Sequence, residues 1–293
     1  MMDRLSRRSF LLAPLGAGAA APSAELPDLS TVPADLVTPQ LTPGPPAAGM
    51  RVRQTIEGYA DTEVHHALYL PTNWRPLRRY PVIVEYAGNG NYRNQFGDVS
   101  NGTVEGSNLG YGMSGGKGFL WISMPYVNAA ENRNQEVWWG DVEATVDYAK
   151  RAVEDVCRRY GGDRSSVILA GFSRGAIACN YIGLHDDSIA KLWRGFVAYS
   201  HYDGVRSWNY AGSDRASAIA RLRRLNGRPV FVCDEKGTEQ TRDYLVSTGI
   251  QAPYTFVPLG FRNHNDAWVL RDIPARRQLR RWLGEVLKKK PQR

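Results

Sequence analysis

Short, nearly continuous apolar runs alternate along this chain with segments of helical periodicity, and this alternation most constrains its fold. Such runs lie at residues 81–86, 119–124 and 167–170. Strands that are apolar on both faces are typical of a parallel sheet covered on both sides. Residues 139–159 carry apolar side chains at helical spacing. The pattern predicts an α/β fold with a mostly parallel central sheet flanked by helices on both faces.

The first 24 residues have the features of an export signal in the expected order. Arg7 and Arg8 precede Phe10 and a short apolar stretch, and an alanine-rich exit follows. The paired arginines predict a twin-arginine-type signal peptide, read by the twin-arginine export machinery, and hence a secreted or periplasmic bacterial protein. Residues 25–49 are rich in Pro and Ala and are predicted to form a linker. Residues 50–293 are the predicted folded domain.

Composition excludes several classes of protein. The 293 residues have a formal net charge of +8, but the basic residues are spaced as on solvated helix faces, and no nucleic-acid-binding motif accompanies them. No segment of the mature chain is apolar enough to predict a membrane span. Three cysteines are too few for a disulfide framework and lack the spacing of a zinc site. We therefore expect no nucleic-acid partner, no metal and no organic cofactor.

One short motif predicts the chemistry. The sequence Gly171-Phe172-Ser173-Arg174-Gly175 follows the apolar run at 167–170 and precedes a predicted helix. Between a strand and a helix, this pattern is typical of a nucleophile elbow, in which a strained turn exposes a serine hydroxyl above the sheet. The two glycines leave room for the strand and helix to approach. Ser173 is the predicted nucleophile.

A serine hydroxyl is a poor nucleophile unless a base takes its proton. His264 lies after the last predicted strand and just before the last predicted helix. This order places its loop at the carboxyl edge of the sheet, where open α/β sheets bind ligands and where Ser173 is expected. His264 is therefore the predicted base, and His201, after the sixth predicted strand, is the second candidate.

The order of elements, the elbow at 171–175 and the late His264 resemble the α/β-hydrolase fold over about residues 50–290. Within that fold, the chain is similar to secreted esterases of the polyhydroxybutyrate-depolymerase and feruloyl- or acetylxylan-esterase type. The resemblance implies a serine esterase that cleaves a carboxylic ester through an acyl-enzyme. A small-molecule ester, a carbohydrate-linked ester or a polyester would be the substrate.

The resemblance also implies a triad acid, normally in the loop after the strand that precedes the histidine strand. Asp234 is the first candidate, and Glu235, Glu239 and Asp203 are the alternatives. Each carboxylate that is not the acid would be an ordinary surface group.

An oxyanion hole is the last implied element. It is expected to combine the backbone N–H of Arg174 with an N–H from the loop at 87–91, where Gly88 and Asn89 are the candidates. Two other functions share these features: a serine peptidase on the same fold, and a noncatalytic binding protein on a hydrolase scaffold. The long segment 88–117 is rich in Gly and Asn, and a loop of this length is usually functional or mobile.

Overall fold

The structure, a computed structural model, describes residues 25–289. The predicted signal peptide lies outside the described residues. The strands are, in chain order, β1 (Leu41–Thr42), β2 (Arg51–Gln54), β3 (His66–Tyr69), β4 (Tyr80–Tyr86), β5 (Tyr92–Arg93), β6 (Val99–Ser100), β7 (Leu120–Met124), β8 (Val127–Asn128), β9 (Arg133–Asn134), β10 (Gly162–Phe172), β11 (Gly195–Tyr199), β12 (Val230–Asp234) and β13 (Tyr254–Pro258).

The helices are α1 (Leu109–Ser114), α2 (Val142–Tyr160), α3 (Arg174–Tyr181), α4 (Asp187–Ala190), α5 (Arg215–Leu222), α6 (Glu239–Thr248) and α7 (Pro274–Lys288). Short 3₁₀ helices lie at Leu29–Thr31, Val104–Gly106, Arg223–Leu225 and Asp266–Leu270. Helix α2 shows how the local sequence determines where a helix begins and ends. The carboxylate of Asp141 caps its first turn by accepting from the N–H of Ala144, and Gly161 ends it in the left-handed conformation.

Nine strands form one sheet in the order β1-β2-β3-β7-β4-β10-β11-β12-β13. From β7 to β13 all neighbouring strands are parallel. Strand β3 is antiparallel to both β2 and β7. Helices cover both faces, so the predicted fold class is confirmed.

The two faces of the sheet have separate apolar cores, because successive side chains of a strand point in opposite directions. In β4, Val82 and Val84 belong to the core that includes residues of α2 and α3. Ile83, between them, belongs to the core formed with α1 and α7. This division explains the continuous apolar runs in the sequence, since both faces of these strands are buried.

Residues 25–49, the predicted Pro/Ala-rich linker, lie on the surface of the folded domain. We call this segment the N-terminal strap. Leu29 is buried in the core beneath α7, and its N–H donates to Oδ1 of Asn263 at 2.6 Å. Asp35 forms an ion pair with the buried Arg276. The Pro-rich composition predicts extended backbone, but it carries no information about which surface that backbone contacts.

No helix within residues 25–289 is long and apolar enough to cross a membrane. The three cysteines, Cys157, Cys179 and Cys233, are buried and free.

Candidate active site

Ser173 stands on a strained turn between β10 and α3. Its backbone has φ of 54° and ψ of −113°, a conformation that costs a non-glycine residue about 1–3 kcal/mol. The flanking glycines are required sterically. A Cβ at Gly171 would lie 2.0 Å from the carbonyl oxygen of Gly175, and a Cβ at Gly175 would lie 1.9 Å from that of Tyr86. The turn has the geometry that the motif predicts.

The structure brings His264 to this serine across 91 positions of the chain. Its Nε2 lies 3.2 Å from Oγ of Ser173. The backbone N–H of His264 donates to Oδ2 of Asp98 at 2.7 Å, and the imidazole lies between the rings of Tyr92 and Phe172 at centroid distances of 4.8 and 4.9 Å. The side chain of His264 is 13% exposed, and Ser173 is 9% exposed, so both retain surface that a substrate can reach.

Glu235, the residue directly after β12, is the carboxylate that contacts this imidazole. Its Oε1 lies 2.6 Å from Nδ1 of His264. Burial raises the pKa of the Glu235 carboxyl, but the hydrogen bond and charge of His264 outweigh burial and leave this pKa below its ordinary value. An ionised acceptor at Nδ1 holds the proton there, which leaves the lone pair of Nε2 facing Ser173.

Asp234, our first candidate for the acid, does not contact His264; the alternative candidate Glu235 lies there instead. Its Oδ1 accepts from the backbone N–H of Lys236 at 2.9 Å and of Gly237 at 3.3 Å. This local turn is a common use of an aspartate side chain. Burial and the adjacent Glu235 charge raise the pKa of Asp234 to about 6.

The other two alternatives have structural roles. Glu239 is exposed in the first turn of α6, where a negative charge favours the helix dipole. Asp203 is buried and forms a two-pronged ion pair with Arg221, with distances of 2.9 and 3.1 Å. Neither side chain has a hydrogen bond to His264 in the described part of the chain.

His201, the second candidate for the base, lies beside the first. Its ring centroid is 5.5 Å from that of His264, and its Nδ1 lies 2.8 Å from the carbonyl oxygen of Ser200. Burial, followed by the nearby His264, lowers the pKa of His201 to about 4. At neutral pH His201 is therefore an uncharged neighbour of His264.

The loop after β4 lies against the elbow and carries two of the predicted oxyanion donors, Gly88 and Asn89. Gly88 follows β4, and a Cβ at this position would lie 2.8 Å from the ring of Phe172, so only glycine fits. The side chain of Asn89 accepts from the N–H of Trp138 at 2.8 Å, and the backbone N–H of Asn89 remains the second predicted donor. Arg174 begins α3, so its N–H belongs to the free first turn of the helix.

The Arg174 side chain fixes this arrangement. Its buried guanidinium donates to the carbonyl oxygens of Trp138, Gly88 and Gly102 at 2.6, 2.9 and 3.1 Å. It also lies 3.9 Å from the ring centroid of Tyr126. Burial lowers the pKa of Arg174 to about 10, which leaves the guanidinium charged at neutral pH. The residue after Ser173 thus holds the loop of Gly88 in place.

Three residues at the site are not among the catalytic or oxyanion-hole residues that the sequence predicts. Asp98 holds the backbone of His264, Tyr92 packs on its ring, and Ser200 contacts both His264 and Glu235. Asp98 and Tyr92 lie in the segment 88–117, which carries no motif. Ser200 follows β11 directly, and its place at the carboxyl end of a strand was the one available signal.

Partly exposed aromatic side chains form a wall near His264. Trp138 contacts Trp208 and Tyr210, with ring centroids 5.5 and 5.2 Å apart. Trp208 in turn lies 5.3 Å from His201. We call these four residues the aromatic wall. Among residues 25–289, no group of three or more His, Cys, Asp or Glu side chains is arranged to hold a metal ion.

No family model matches the sequence, and a search of curated proteins finds no significant match. Solved structures do match. An esterase from Rhizomucor miehei has a TM-score of 0.50 and 12% identity, over 81% of this chain and 83% of that one. Dipeptidyl peptidase 4 from Porphyromonas gingivalis has a TM-score of 0.51 and 15% identity, over 83% of this chain and 36% of that one.

A thermostable esterase has a TM-score of 0.49 and 15% identity, over 80% of this chain. The chain spans 62% of the length of that esterase and about a third of the peptidase. With the strand order and the elbow described above, the similarities to the Rhizomucor miehei esterase and to dipeptidyl peptidase 4 define the architecture: the chain has the α/β-hydrolase fold.

Proposed function

We propose that the protein is a serine hydrolase that cleaves carboxylic esters through an acyl-enzyme. The observation that carries this proposal is the continuous chain from Oγ of Ser173 to Nε2 of His264 at 3.2 Å and from Nδ1 to Glu235 at 2.6 Å. A hydroxyl, an imidazole and a carboxylate in this order form a nucleophile, a base and the group that orients the base.

The proposed reaction begins when Ser173 attacks the ester carbonyl carbon. His264 takes the hydroxyl proton at Nε2 as the new C–O bond forms, and Glu235 stabilises the resulting imidazolium. The backbone N–H groups of Arg174 and of Gly88 or Asn89 stabilise the oxyanion. His264 then returns the proton to the leaving alcohol, which leaves an acyl group on Ser173.

Water completes the cycle. Water attacks the carbonyl carbon of the acyl group on Ser173 while His264 takes one of its protons. The C–Oγ bond then breaks, His264 returns that proton to Oγ of Ser173, and the carboxylic acid leaves. The chain's own residues supply every proton transfer in this scheme. The aromatic wall borders the site and provides flat apolar surface for one side of the substrate.

A serine peptidase on the same fold is the second candidate, favoured by the similarity to dipeptidyl peptidase 4. The same triad serves both reactions, because both pass through an acyl-enzyme. They differ in the leaving group, since an amine needs more protonation assistance from the base than an alcohol does.

Parallel assays of the purified protein separate the two activities. We expect hydrolysis of short-chain p-nitrophenyl esters, with kcat/KM at least about 100-fold above that for aminoacyl and dipeptidyl p-nitroanilides. Equal or faster cleavage of the anilides would favour the peptidase. Absence of both activities would favour a binding protein on a hydrolase scaffold. A panel of acetylated, feruloylated and polyester substrates would then define the acyl and alcohol groups.

We also propose that residues 1–24 direct export by the twin-arginine pathway to the periplasm or the exterior. The paired Arg7 and Arg8 ahead of an apolar stretch support this proposal. In a bacterial host with this pathway, Arg7→Lys combined with Arg8→Lys should abolish export and leave the activity of the purified protein unchanged. Undiminished export of this variant, measured by cell fractionation, would refute the assignment.

A further inference from the structure

Ser200 is a second strained residue at the proposed triad, besides Ser173 itself. It follows β11 directly and has φ of 81°, in the left-handed region that favours glycine. Its side chain is buried, with the residue 6% exposed. A serine at such a position carries a conformational cost that glycine would avoid, so the side chain itself merits a functional explanation.

The hydroxyl of Ser200 contacts two members of the triad at once. Its Oγ donates to Oε1 of Glu235 at 3.1 Å and lies 3.0 Å from Nδ1 of His264. Nδ1 and Oε1 are themselves 2.6 Å apart, so the three atoms form a closed triangle. The other carboxylate oxygen of Glu235 is buried and has no hydrogen-bond partner in residues 25–289. Among these residues, Ser200 therefore provides the only side-chain donor to this carboxylate besides the imidazole.

The backbone fixes this hydroxyl relative to both strands. The N–H of Ser200 donates to the carbonyl oxygen of Cys233, at the end of β12, at 2.8 Å. The preceding residue, Tyr199, accepts from the N–H of Ser173 at 2.9 Å. The end of β11 thus connects the nucleophile on one side with the strand that carries Glu235 on the other, and Ser200 extends that connection to the side chains.

We propose that Ser200 is a positioning residue of the triad, whose hydroxyl holds Glu235 in line with His264 and takes up part of the carboxylate charge. This inference rests on the proposed hydrolase function. Without the hydroxyl, Oε1 of Glu235 would have one donor in place of two, and the carboxylate would turn more freely. The imidazole would then spend less time with its Nε2 directed at Ser173.

The hydroxyl also affects the pH dependence of the reaction. When Glu235 loses a hydrogen-bond donor, less of its negative charge is compensated. The carboxylate then stabilises the protonated imidazole more strongly. The base is active only when neutral, so the acid limb of the pH profile should move to higher pH. The other titratable groups near His264 are His201, Tyr92, Asp234 and, at its backbone N–H, Asp98. A substitution at Ser200 leaves all four in place.

The test compares Ser200→Ala with Ser200→Gly, measured with p-nitrophenyl acetate across pH. We expect both variants to lose about tenfold in kcat, the effect of one hydrogen bond to a charged group, with KM changed less than about twofold. We expect the acid limb to move upward by about half a pH unit in both. Glycine adopts φ of 81° without strain, so Ser200→Gly should have the higher Tm of the two.

This pair separates the hydroxyl from the backbone. Wild-type kcat and an unmoved acid limb in both variants would overturn the proposal. Recovery of kcat in Ser200→Gly but not in Ser200→Ala would also overturn it, because strain rather than the hydroxyl would then control activity. Failure of the hydrolase function itself has a different signature, since the wild-type protein would not cleave the ester, or cleavage would persist in Ser173→Ala.

Discussion

Replacement of Ser173 by alanine should lower kcat for p-nitrophenyl esters by on the order of 10⁴–10⁶-fold while leaving the fold intact. Ser173→Ala removes the only atom that can form the acyl bond in the proposed mechanism, and the residual rate comes from oxyanion stabilisation and substrate binding alone. The backbone conformation at this turn is equally strained for alanine and serine, so Tm should change little. Steady-state kinetics and thermal denaturation measure both quantities.

Covalent labelling provides an independent readout of the same prediction. A fluorophosphonate probe should add one label to the wild-type protein, located at Ser173 by peptide mass analysis, and none to Ser173→Ala. Ser107→Ala is the matched control. Ser107 is also a buried serine, but unlike Ser173 its hydroxyl has no hydrogen-bond partner among the described residues. This control should keep full labelling and activity. Substantial hydrolysis by Ser173→Ala would contradict the mechanism.

The sequence predicts the sheet and the pair Ser173 and His264 because both depend on strong local signals. Buried parallel strands require continuous apolar runs, and the elbow requires glycine at 171 and 175 for the steric reasons that the structure gives. The position of His264 follows from topology, since parallel strands place their following loops at one edge. None of these predictions requires knowledge of a side-chain contact.

Glu235, and not the first candidate Asp234, contacts His264; the two carboxylates are adjacent at the end of β12, and only the alternation of side chains along the strand distinguishes them. Phe231 and Cys233 belong to the core beneath His264, which also contains Phe172. Side chains alternate along a strand, so Glu235 continues on that face, whereas Asp234 points to the other one. Applied to the sequence, this alternation favours Glu235.

The contacts made by the N-terminal strap and by segment 88–117 had no comparable signal. The strap reaches the loop of the candidate base through Leu29 and Asn263. Asp98 reaches the same loop through the backbone of His264 and the side chain of Asn263. These are hydrogen bonds between segments about 165 to 235 positions apart along the chain, and the segments lack periodicity. Nothing in composition or spacing distinguishes Asp98 from an exposed aspartate.

The adjacent carboxylates offer a sharp mutational test of the triad. Glu235→Gln should lower kcat by on the order of 10³–10⁴-fold, because a glutamine amide at Nδ1 neither stabilises the imidazolium nor fixes the proton on Nδ1. Asp234→Asn should leave kcat within about threefold, since Oδ1 of asparagine can still accept from the N–H groups of Lys236 and Gly237. The two substitutions lie at adjacent positions and make the same chemical change, from a carboxylate to an amide.

The effects on stability should differ from those on kcat: Asp234→Asn should stabilise the folded protein at high pH, and Glu235→Gln should not. The folded protein raises the pKa of Asp234 to about 6, above its value in an unfolded chain, so ionisation of this carboxyl costs stability as pH rises from about 4 through 6. Asp234→Asn removes that cost, and its Tm should equal that of the wild type at pH 4 but exceed it at pH 8. Glu235→Gln has no such gain, because its carboxylate has a lowered pKa and stabilises the folded state when ionised. A large loss of kcat in Asp234→Asn, with Glu235→Gln active, would return the acid to position 234 and refute the geometry on which the proposed mechanism and the role of Ser200 both depend.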